Sequence, residues 1–178
     1  MTTVSRLLRD RTQEIHQSTE TRLLADADVA TVDGLERFHA VMRHAFLRHG
    51  AALDLAAVEV GVRPRSGELL DALSGGRRHR IEARLTTQRD HDRRRLAGVA
   101  YTLEGSALGA EVLRRRLPPS ASSAYLDLLV DGRAARWSRV KAWLDRFDPN
   151  DIDVLVDAAT ETFHDIAIAC DETAEETV

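Results

Sequence analysis

The first amphipathic segment of the chain carries four polar side chains on one side of its predicted helix. At about 100° per residue, Arg9, Thr12, His16 and Glu20 fall in a narrow sector beside an apolar stripe. Arg9 and His16 are one heptad apart, which separates them by about 10 Å along the helix axis. A neutral imidazole can ligate a metal, and an arginine can bind an anion. The other interpretation of His16 is a partly buried, hydrogen-bonded side chain at the edge of the apolar stripe.

A second segment, GVAYTLEGSALGAEVL at positions 98–113, has helical apolar spacing but contains two interior glycines. Each glycine costs a helix about 1 kcal/mol relative to alanine, so some interaction must offset the loss. Gly105 and Gly109 share a face, with Ser106 and Ala110 beside them, and this leaves one stripe of the helix nearly bare. Either another helix crosses closely at this stripe, or a flat ligand lies against it.

One ligand would account for both segments. Heme needs an imidazole beneath its iron, a cation beside a propionate at its rim, and nothing bulkier than glycine over its other face. His16, Arg9 and the stripe at Gly105 and Gly109 would provide these three features. We therefore expect a heme site between the two segments.

Two stretches of the sequence, LLRDRTQEIHQSTE at 7–20 and GVAYTLEGSALGAEVL at 98–113, carry a family resemblance. They resemble the proximal and distal helix motifs of heme oxygenases, particularly the bacterial branch associated with bacteriophytochromes. Weaker similarity continues through GRAARWSRVKAWLD at 132–145 and ATETFHDIA at 159–167. The motifs occur in the family's order and cover most of the chain.

The resemblance implies an all-α, single-domain, multi-helical heme-oxygenase-like bundle, with heme between the first helix and a kinked distal helix. His16 would be the axial iron ligand, Glu20 would help to orient its imidazole, and Arg9 would bind a propionate. The distal face would hold the catalytic positions, which are Gly105, Ser106 and Gly109. The other implied heme contacts are Tyr101, Phe163 and, for the propionates, basic residues among Arg136, Arg139 and Lys141.

The implied reaction is oxidative cleavage of heme by O₂ to biliverdin, carbon monoxide and ferrous iron. Electrons would come from a ferredoxin or a flavin reductase, and a bacteriophytochrome is the biliverdin acceptor that this branch suggests. Ser106 stands where mammalian enzymes carry an aspartate, and Ala110 replaces a glycine and would add a methyl group near the distal face. The alternative function is a non-catalytic protein of the same fold that stores or senses heme.

The elements that position these residues are all predicted to be helices, because the apolar period is helical and strand patterns are absent. We expect one domain over 1–178, with 171–178 as a frayed tail. Short helices should follow VGVRPRSG and SGGRRH. The long ones are predicted at 4–24, 32–57, 93–117, 121–130, 133–147 and from the DPND turn at 148–151 to 170.

The composition predicts a cytoplasmic globular protein. No apolar run approaches the ~20 residues of a membrane span, and the start of the chain has no secretory signal pattern. The single cysteine, Cys170, is expected to be a buried hydrophobe. A net charge of −4 argues against nucleic acid as a partner. The arginine clusters at 77–80, 93–95 and 114–116 are therefore interpreted as solvated helix faces, with docking of an acidic protein as the alternative.

Two Glu-x-x-His pairs raise a rival metal chemistry. Glu36 with His39, and Glu161 with His164, have the spacing found in di-iron carboxylate bundles. In the predicted last helix, however, Glu161 and His164 both lie more than ~100° from the centre of the apolar stripe. We therefore do not expect a di-iron site. The remaining histidines are predicted to be surface residues, namely His44, His49, His79 and His91.

Overall fold

Helices form all the regular structure in the part of the chain that the structure describes, which is residues 2–75, 92–119 and 121–175. The computed structural model therefore confirms the all-α prediction. Within these residues, no helix combines the length and apolarity needed to cross a bilayer. The helices are α1 (Val4–Asp26), α2 (Val32–Glu59), α3 (Ser66–Leu73), α4 (Arg93–Arg116), α5 (Ala124–Val130), α6 (Arg133–Leu144) and, after a 3₁₀ turn at Pro149–Asp151, α7 (Ile152–Glu175).

Side-chain caps decide where several helices begin. At the start of α2, the Thr31 hydroxyl accepts a hydrogen bond from the Gly34 amide at 3.0 Å. At the start of α5, the Ser123 hydroxyl accepts one from the Leu126 amide at 3.2 Å. Both bonds satisfy amides that the first turn of a helix leaves unpaired. Because Ser123 is the cap, α5 begins at Ala124 and not at the predicted position 121.

The C-terminal helix is longer than predicted. Beyond Cys170, α7 continues to Glu175, so the expected fraying is wrong for 171–175. Ala169 and Cys170 are buried, which confirms Cys170 as a core residue, and the Thr173 hydroxyl donates to the Ala169 carbonyl at 2.9 Å. This packing holds the last turns in place. Positions 176–178 and the predicted helix after SGGRRH lie outside the described residues.

The last helix is the centre of the bundle, because α1, α2 and α4 all pack along it. Arg11 on α1 pairs with Asp153 on α7 at 2.5 Å, and Arg22 pairs with Asp171 at 3.3 Å. Since the early residues of one helix meet the early residues of the other, α1 and α7 run side by side in the same direction.

The close helix crossing of this fold lies at Gly98. A Cβ atom at this position would come within 2.5 Å of the Leu155 carbonyl oxygen and 2.7 Å of the Ala158 Cβ on α7. One turn later, the Thr102 hydroxyl lies 3.4 Å from the Ala159 carbonyl oxygen. Thus α4 can approach α7 this closely only because residue 98 has no side chain.

Helices α1 and α4 are connected at two points, and both continue in the same direction between them. Near the first point, the Thr12 hydroxyl lies 3.3 Å from the Tyr101 hydroxyl. At the second, Arg116 lies 3.6 Å from Asp28, in the turn that follows α1. Each helix advances about 23 Å between these contacts. We call the space between them the α1–α4 groove.

Candidate functional site

The α1–α4 groove is bordered by the sides of two helices that point toward each other. Thr12 and Tyr101 mark these sides, because their hydroxyls meet across the groove. On α1, His16 lies one turn after Thr12 and within about 40° of its direction. On α4, residues 105, 108, 109 and 112 all lie within about 80° of the direction of Tyr101. The two segments singled out in the sequence therefore border one space.

His16 is exposed although two threonines on the same face of α1 are buried. Thr12 and Thr19, on either side of it on the same face, are 0% and 6% exposed. The imidazole is tilted against the ring of Phe163 on α7, with 5.4 Å between the ring centroids. Neither of its ring nitrogens has a hydrogen-bond partner among the described residues. The structure thus brings His16 and Phe163 together, and their contact with heme stays a prediction.

The opposite side of the groove is bare and apolar. Apart from the backbone and neighbours of Gly109 on its own helix, no atom of residues 2–75, 92–119 and 121–175 lies within 4 Å of where its Cβ would stand. Leu108 and Val112 are 47% and 61% exposed, a large exposure for apolar side chains on one helix face. Such surfaces are typical of ligand or partner sites. The close approach of α4 to α7 is at Gly98 and does not explain the open space at Gly109, whereas Gly105 faces the Trp137 ring of α6.

Aromatic rings close one end of the groove. A Cβ on Gly105 would lie 3.6 Å from the Trp137 ring on α6, and the rings of Trp137 and Tyr101 have centroids 5.9 Å apart. Burial raises the pKa of the Tyr101 phenol, against smaller opposing effects of Thr12 and Arg9. Tyr101 therefore keeps its proton at neutral pH and can donate a hydrogen bond.

Some of the predicted basic residues lie near this end of the groove and others do not. Arg9 lies close enough to act on the pKa of Tyr101, and its guanidinium is 3.3 Å from Asp10. Lys141 is exposed one turn after Trp137, on the same side of α6. Arg139 is not brought to the groove, because it lies on the other side of α6 and donates to the Gly61 carbonyl at 2.9 Å.

The third basic candidate on α6, Arg136, is not available to a ligand either. Its Nε donates to both oxygens of Glu104, at 3.1 and 3.2 Å. The Glu104 side chain is 4% exposed and also binds Arg65 at 2.9 Å. Of the three basic candidates on α6, Lys141 is the one whose side chain has no ion pair or hydrogen bond with another residue in the described part of the chain, and it is exposed near the groove end.

Two positions of the distal motif differ from their expected surroundings. The methyl group of Ala110 is buried in the hydrophobic core, so it does not narrow the groove. The Ser106 hydroxyl donates to the Leu103 carbonyl at 2.7 Å, a bond within the helix. Glu20, one turn beyond His16 on α1, is exposed. Helix α4, which carries the distal motif, is one continuous helix.

The sequence did not single out Trp137, Leu108 or Val112 as parts of this site. The sequence did contain features that could have identified them. Trp137 lies in the stretch GRAARWSRVKAWLD at 132–145, and Leu108 and Val112 lie one helical turn apart beside the glycines. Helical spacing alone does not tell which side of a helix the bundle leaves open, because that depends on the crossing at Gly98.

The di-iron alternative finds no support in the described residues. His39 Nε2 lies 2.8 Å from the Ser123 hydroxyl, and Glu161 pairs with Arg95. No group of three or more His, Cys, Asp or Glu side chains in residues 2–75, 92–119 and 121–175 could hold a metal ion. Glu36 and His164 are exposed.

Two of the four histidines that were predicted to be surface residues, His44 and His49, are partly buried and lie near carboxylates. His49 Nε2 lies 2.7 Å from Asp165, which is 5% exposed, so the prediction of a surface residue is wrong for His49. His44 is half-buried, with Nδ1 at 3.9 Å from Glu172. His79 and His91 lie outside the described residues.

Two of the three arginine clusters belong to paired helix surfaces. In the cluster at 93–95, Arg93 binds Glu59 at 2.7 Å and Arg94 binds Asp151 at 3.1 Å. In the cluster at 114–116, Arg115 binds Glu111 at 2.9 Å. These pairs agree with solvated faces whose charge is balanced within the chain. The cluster at 77–80 lies outside the described residues.

Comparison with known proteins leaves the chain without an assigned family. No family model matches the sequence, and no curated protein matches it. The functional interpretation therefore depends on the groove itself.

Proposed function

We propose that the chain binds heme in the α1–α4 groove and cleaves it with O₂ to biliverdin, carbon monoxide and ferrous iron. The observation that carries the proposal is the exposed imidazole of His16 on α1 together with the open space at Gly109 on α4. A flat ligand with a metal at its centre needs a histidine whose nitrogen can bind the metal and a helix face without bulky side chains. His16 has no hydrogen-bond partner among the described residues, and α4 has no side chain at Gly109.

The groove residues fit the chemistry of heme in three respects. The macrocycle is broad and apolar, and Phe163, Leu108 and Val112 offer apolar contact beside the two glycines. The iron needs a neutral nitrogen ligand, which His16 provides. The propionates need cations at the edge, and Arg9 and Lys141 carry exposed charges near the end closed by Tyr101.

The chain's own residues have distinct parts in this proposal. His16 ligates the iron, and Glu20, one turn along the helix, is positioned to accept a hydrogen bond through water from the other ring nitrogen. A neutral imidazole donates less electron density than a thiolate. Gly105 and Gly109 keep bulk away from the distal face, where any branched side chain would displace the ligand.

Proton supply falls to ordered water and to Tyr101. Because the Ser106 proton is bound to the Leu103 carbonyl, the hydroxyl oxygen can accept a hydrogen bond from ordered water. Tyr101 stays protonated and can donate at the closed end. When bound, heme supplies the iron that activates O₂, with electrons from a ferredoxin or flavin reductase. A bacteriophytochrome is the proposed acceptor of the biliverdin.

A hemin titration tests the proposal. The purified protein should develop a sharp Soret band at one hemin per chain. After addition of a reductant in air, this band should be replaced by the broad red absorption of a bilin. A Soret band that survives turnover conditions would favour storage or sensing of heme over cleavage. If no Soret band forms, both heme functions are rejected.

A further inference from the structure

A buried ion network lies directly behind the aromatic end of the groove. The Glu104 carboxylate is 4% exposed and receives hydrogen bonds from two arginines, Arg65 and Arg136. Arg136 approaches with Nε at 3.1 Å from Oε1, and its Nη2 binds the same oxygen. A planar guanidinium held at two of its nitrogens fixes both distance and orientation.

The network also fastens the segment between α2 and α3. Arg136 Nη1 donates to the Arg63 carbonyl at 2.9 Å, and Arg65 Nη1 donates to the Leu128 carbonyl at 2.7 Å. The amides of Arg65 and Ser66 donate to the Asp54 carboxylate on α2, at 3.2 and 3.1 Å. Helices α4, α5 and α6 are therefore joined at Glu104 to a loop that is itself fixed.

The network and the groove wall are formed by consecutive residues on both helices. On α4, Glu104 is followed by Gly105. On α6, Arg136 is followed by Trp137, whose ring would meet a Cβ on Gly105 at 3.6 Å. Any slip of α6 along α4 that changed the ion pair would therefore also move the indole.

We infer that the Glu104–Arg136 ion pair positions the Trp137 indole against Gly105 and so sets the α6 wall of the groove. Neither charged residue touches the ligand, and both act through the tryptophan. The functional consequence rests on the proposed heme function, whereas the position of the indole is a property of the protein alone. The two can therefore be measured separately.

Fluorotryptophan labelling measures the positioning without any ligand. The chain contains two tryptophans, so the ¹⁹F spectrum should show two signals, which Trp143→Phe assigns. Arg136→Lys keeps the charge but loses the bidentate fork. We expect it to shift and broaden the Trp137 signal, to increase its H₂O–D₂O shift, and to leave Trp143 unchanged. Glu104→Asp, which shortens the carboxylate's reach, should act in the same way and replaces Arg136→Lys if that variant does not fold.

The matched control is Arg139→Lys. Arg139 is on the same helix and binds a carbonyl of the same loop, but it does not touch Glu104. Its substitution should leave both signals in place. The inference is overturned if Trp137 stays unshifted in folded Arg136→Lys and Glu104→Asp, or if both tryptophan signals change together with a loss of helix content.

Hemin affinity then measures the consequence for the groove. Arg136→Lys should raise the dissociation constant for hemin about threefold to tenfold, an increase no larger than the loss of one charge-assisted hydrogen bond would cause. Arg139→Lys should leave the dissociation constant unchanged. An unchanged affinity beside a shifted Trp137 signal would reject the role of the ion pair in setting the groove wall. If the wild-type chain binds no hemin, the proposed function fails, and the ¹⁹F result still decides the positioning.

Discussion

His16 presents an imidazole with no hydrogen-bond partner among the described residues, on a helix face whose neighbouring threonines are buried. If this ring is the iron ligand, His16→Ala should abolish the low-spin component of the ferric hemin spectrum and reduce turnover to background. Imidazole added to the solution should partly restore both, because it can enter the space that the side chain leaves. His164→Ala is the control, since His164 is an exposed histidine on α7. Equal spectra for the two variants would disprove the ligand assignment.

Arg9 tests charge separately from coordination. Its side chain is 68% exposed and shares Asp10 with Arg6, so solvent and the carboxylate both weaken its attraction for a propionate. We therefore expect Arg9→Ala to weaken hemin binding by less than about tenfold and to keep the axial-histidine spectrum. The clearer effect should be an altered mixture of biliverdin isomers by chromatography, because heme can rotate once an edge contact is lost.

Arg6→Ala is the matched control for Arg9→Ala. Arg6 is 67% exposed and approaches the same Asp10 carboxylate, at 3.9 Å, but it lies about 60° further from His16 around the helix. It should change neither affinity nor isomer ratio. If Arg9→Ala behaves like Arg6→Ala, Arg9 has no part in the site.

At the residue scale, the sequence indicated which side chains share a helix face, but it did not indicate what surrounds each of them. Arg9 and His16 point the same way because seven residues make about two helical turns. The structure places Phe163 beside His16, and the contact of Phe163 with heme stays a prediction. Ala110 was placed at the wrong surface because helical position does not reveal which side is covered. The prediction for Arg139 was wrong for a different reason. Its partner is a backbone carbonyl, which a pattern of side chains in the sequence does not indicate.

At the scale of single elements, α4 carries glycines with opposite roles. Gly98→Ala would force a Cβ to 2.5 Å from the Leu155 carbonyl, so the helices must separate. Overpacking of this kind costs about 1–3 kcal/mol of unfolding free energy. Gly109→Leu adds its side chain to open space, should retain or increase stability, and should block hemin binding.

Urea unfolding and hemin titration of the two variants separate these roles. The contrast is lost if Gly109→Leu binds hemin as the wild type does, and Gly109 is then only an exposed helix position. A Gly98→Ala protein as stable as the wild type would contradict the close crossing.

The contact between α2 and α5 should make stability depend on pH through His39. Burial lowers the pKa of His39 from its usual value of about 6.5, and its Nε2 lies 2.8 Å from Ser123, the cap of α5. Between that lowered pKa and about 6.5, the unfolded chain binds more protons than the folded one. The contribution of His39 to stability is therefore intact above this range and declines as the pH falls through it.

The difference between two unfolding curves isolates the effect of His39. We expect the wild type to lose stability relative to His39→Gln as the pH falls below about 6.5, and the two proteins to run parallel above it. An NMR titration should place the pKa of His39 below that of an unfolded histidine. A raised pKa, or parallel curves across the whole range, would contradict burial as the controlling cause.

At the scale of the whole molecule, the sequence predicted which segments are helical but not how they are tied together. Helix period, proline and caps are local signals, and they placed the start of α1, α2, α4 and α6 correctly. The ion network at Glu104 was invisible, because its arginines lie 39 residues before it and 32 residues after it in the sequence. Contacts at such separations depend on the packed bundle rather than on periodicity.

Removal of the Glu104 charge should therefore destabilise the molecule far more than removal of a surface carboxylate. Burial lowers the pKa of the Arg65 guanidinium, which shows the cost of desolvating that charge, and Glu104 is the group that opposes it. Glu104→Gln leaves the two buried guanidiniums of Arg65 and Arg136 without a counter-charge. Breaking a buried pair in this way costs about 3–5 kcal/mol, a large part of the total stability of a domain.

Glu111→Gln is the matched control for Glu104→Gln, because Glu111 lies on the same helix and also binds several arginines. Its partners Arg114 and Arg115 are 44% and 76% exposed, so water and salt already screen their charges. Urea unfolding followed by circular dichroism should show a large fall in midpoint for Glu104→Gln and a small one for Glu111→Gln. Added salt should diminish only the effect at Glu111, since the buried network excludes ions. Equal losses from the two substitutions would mean that Glu104 joins the helices no more strongly than a surface pair does.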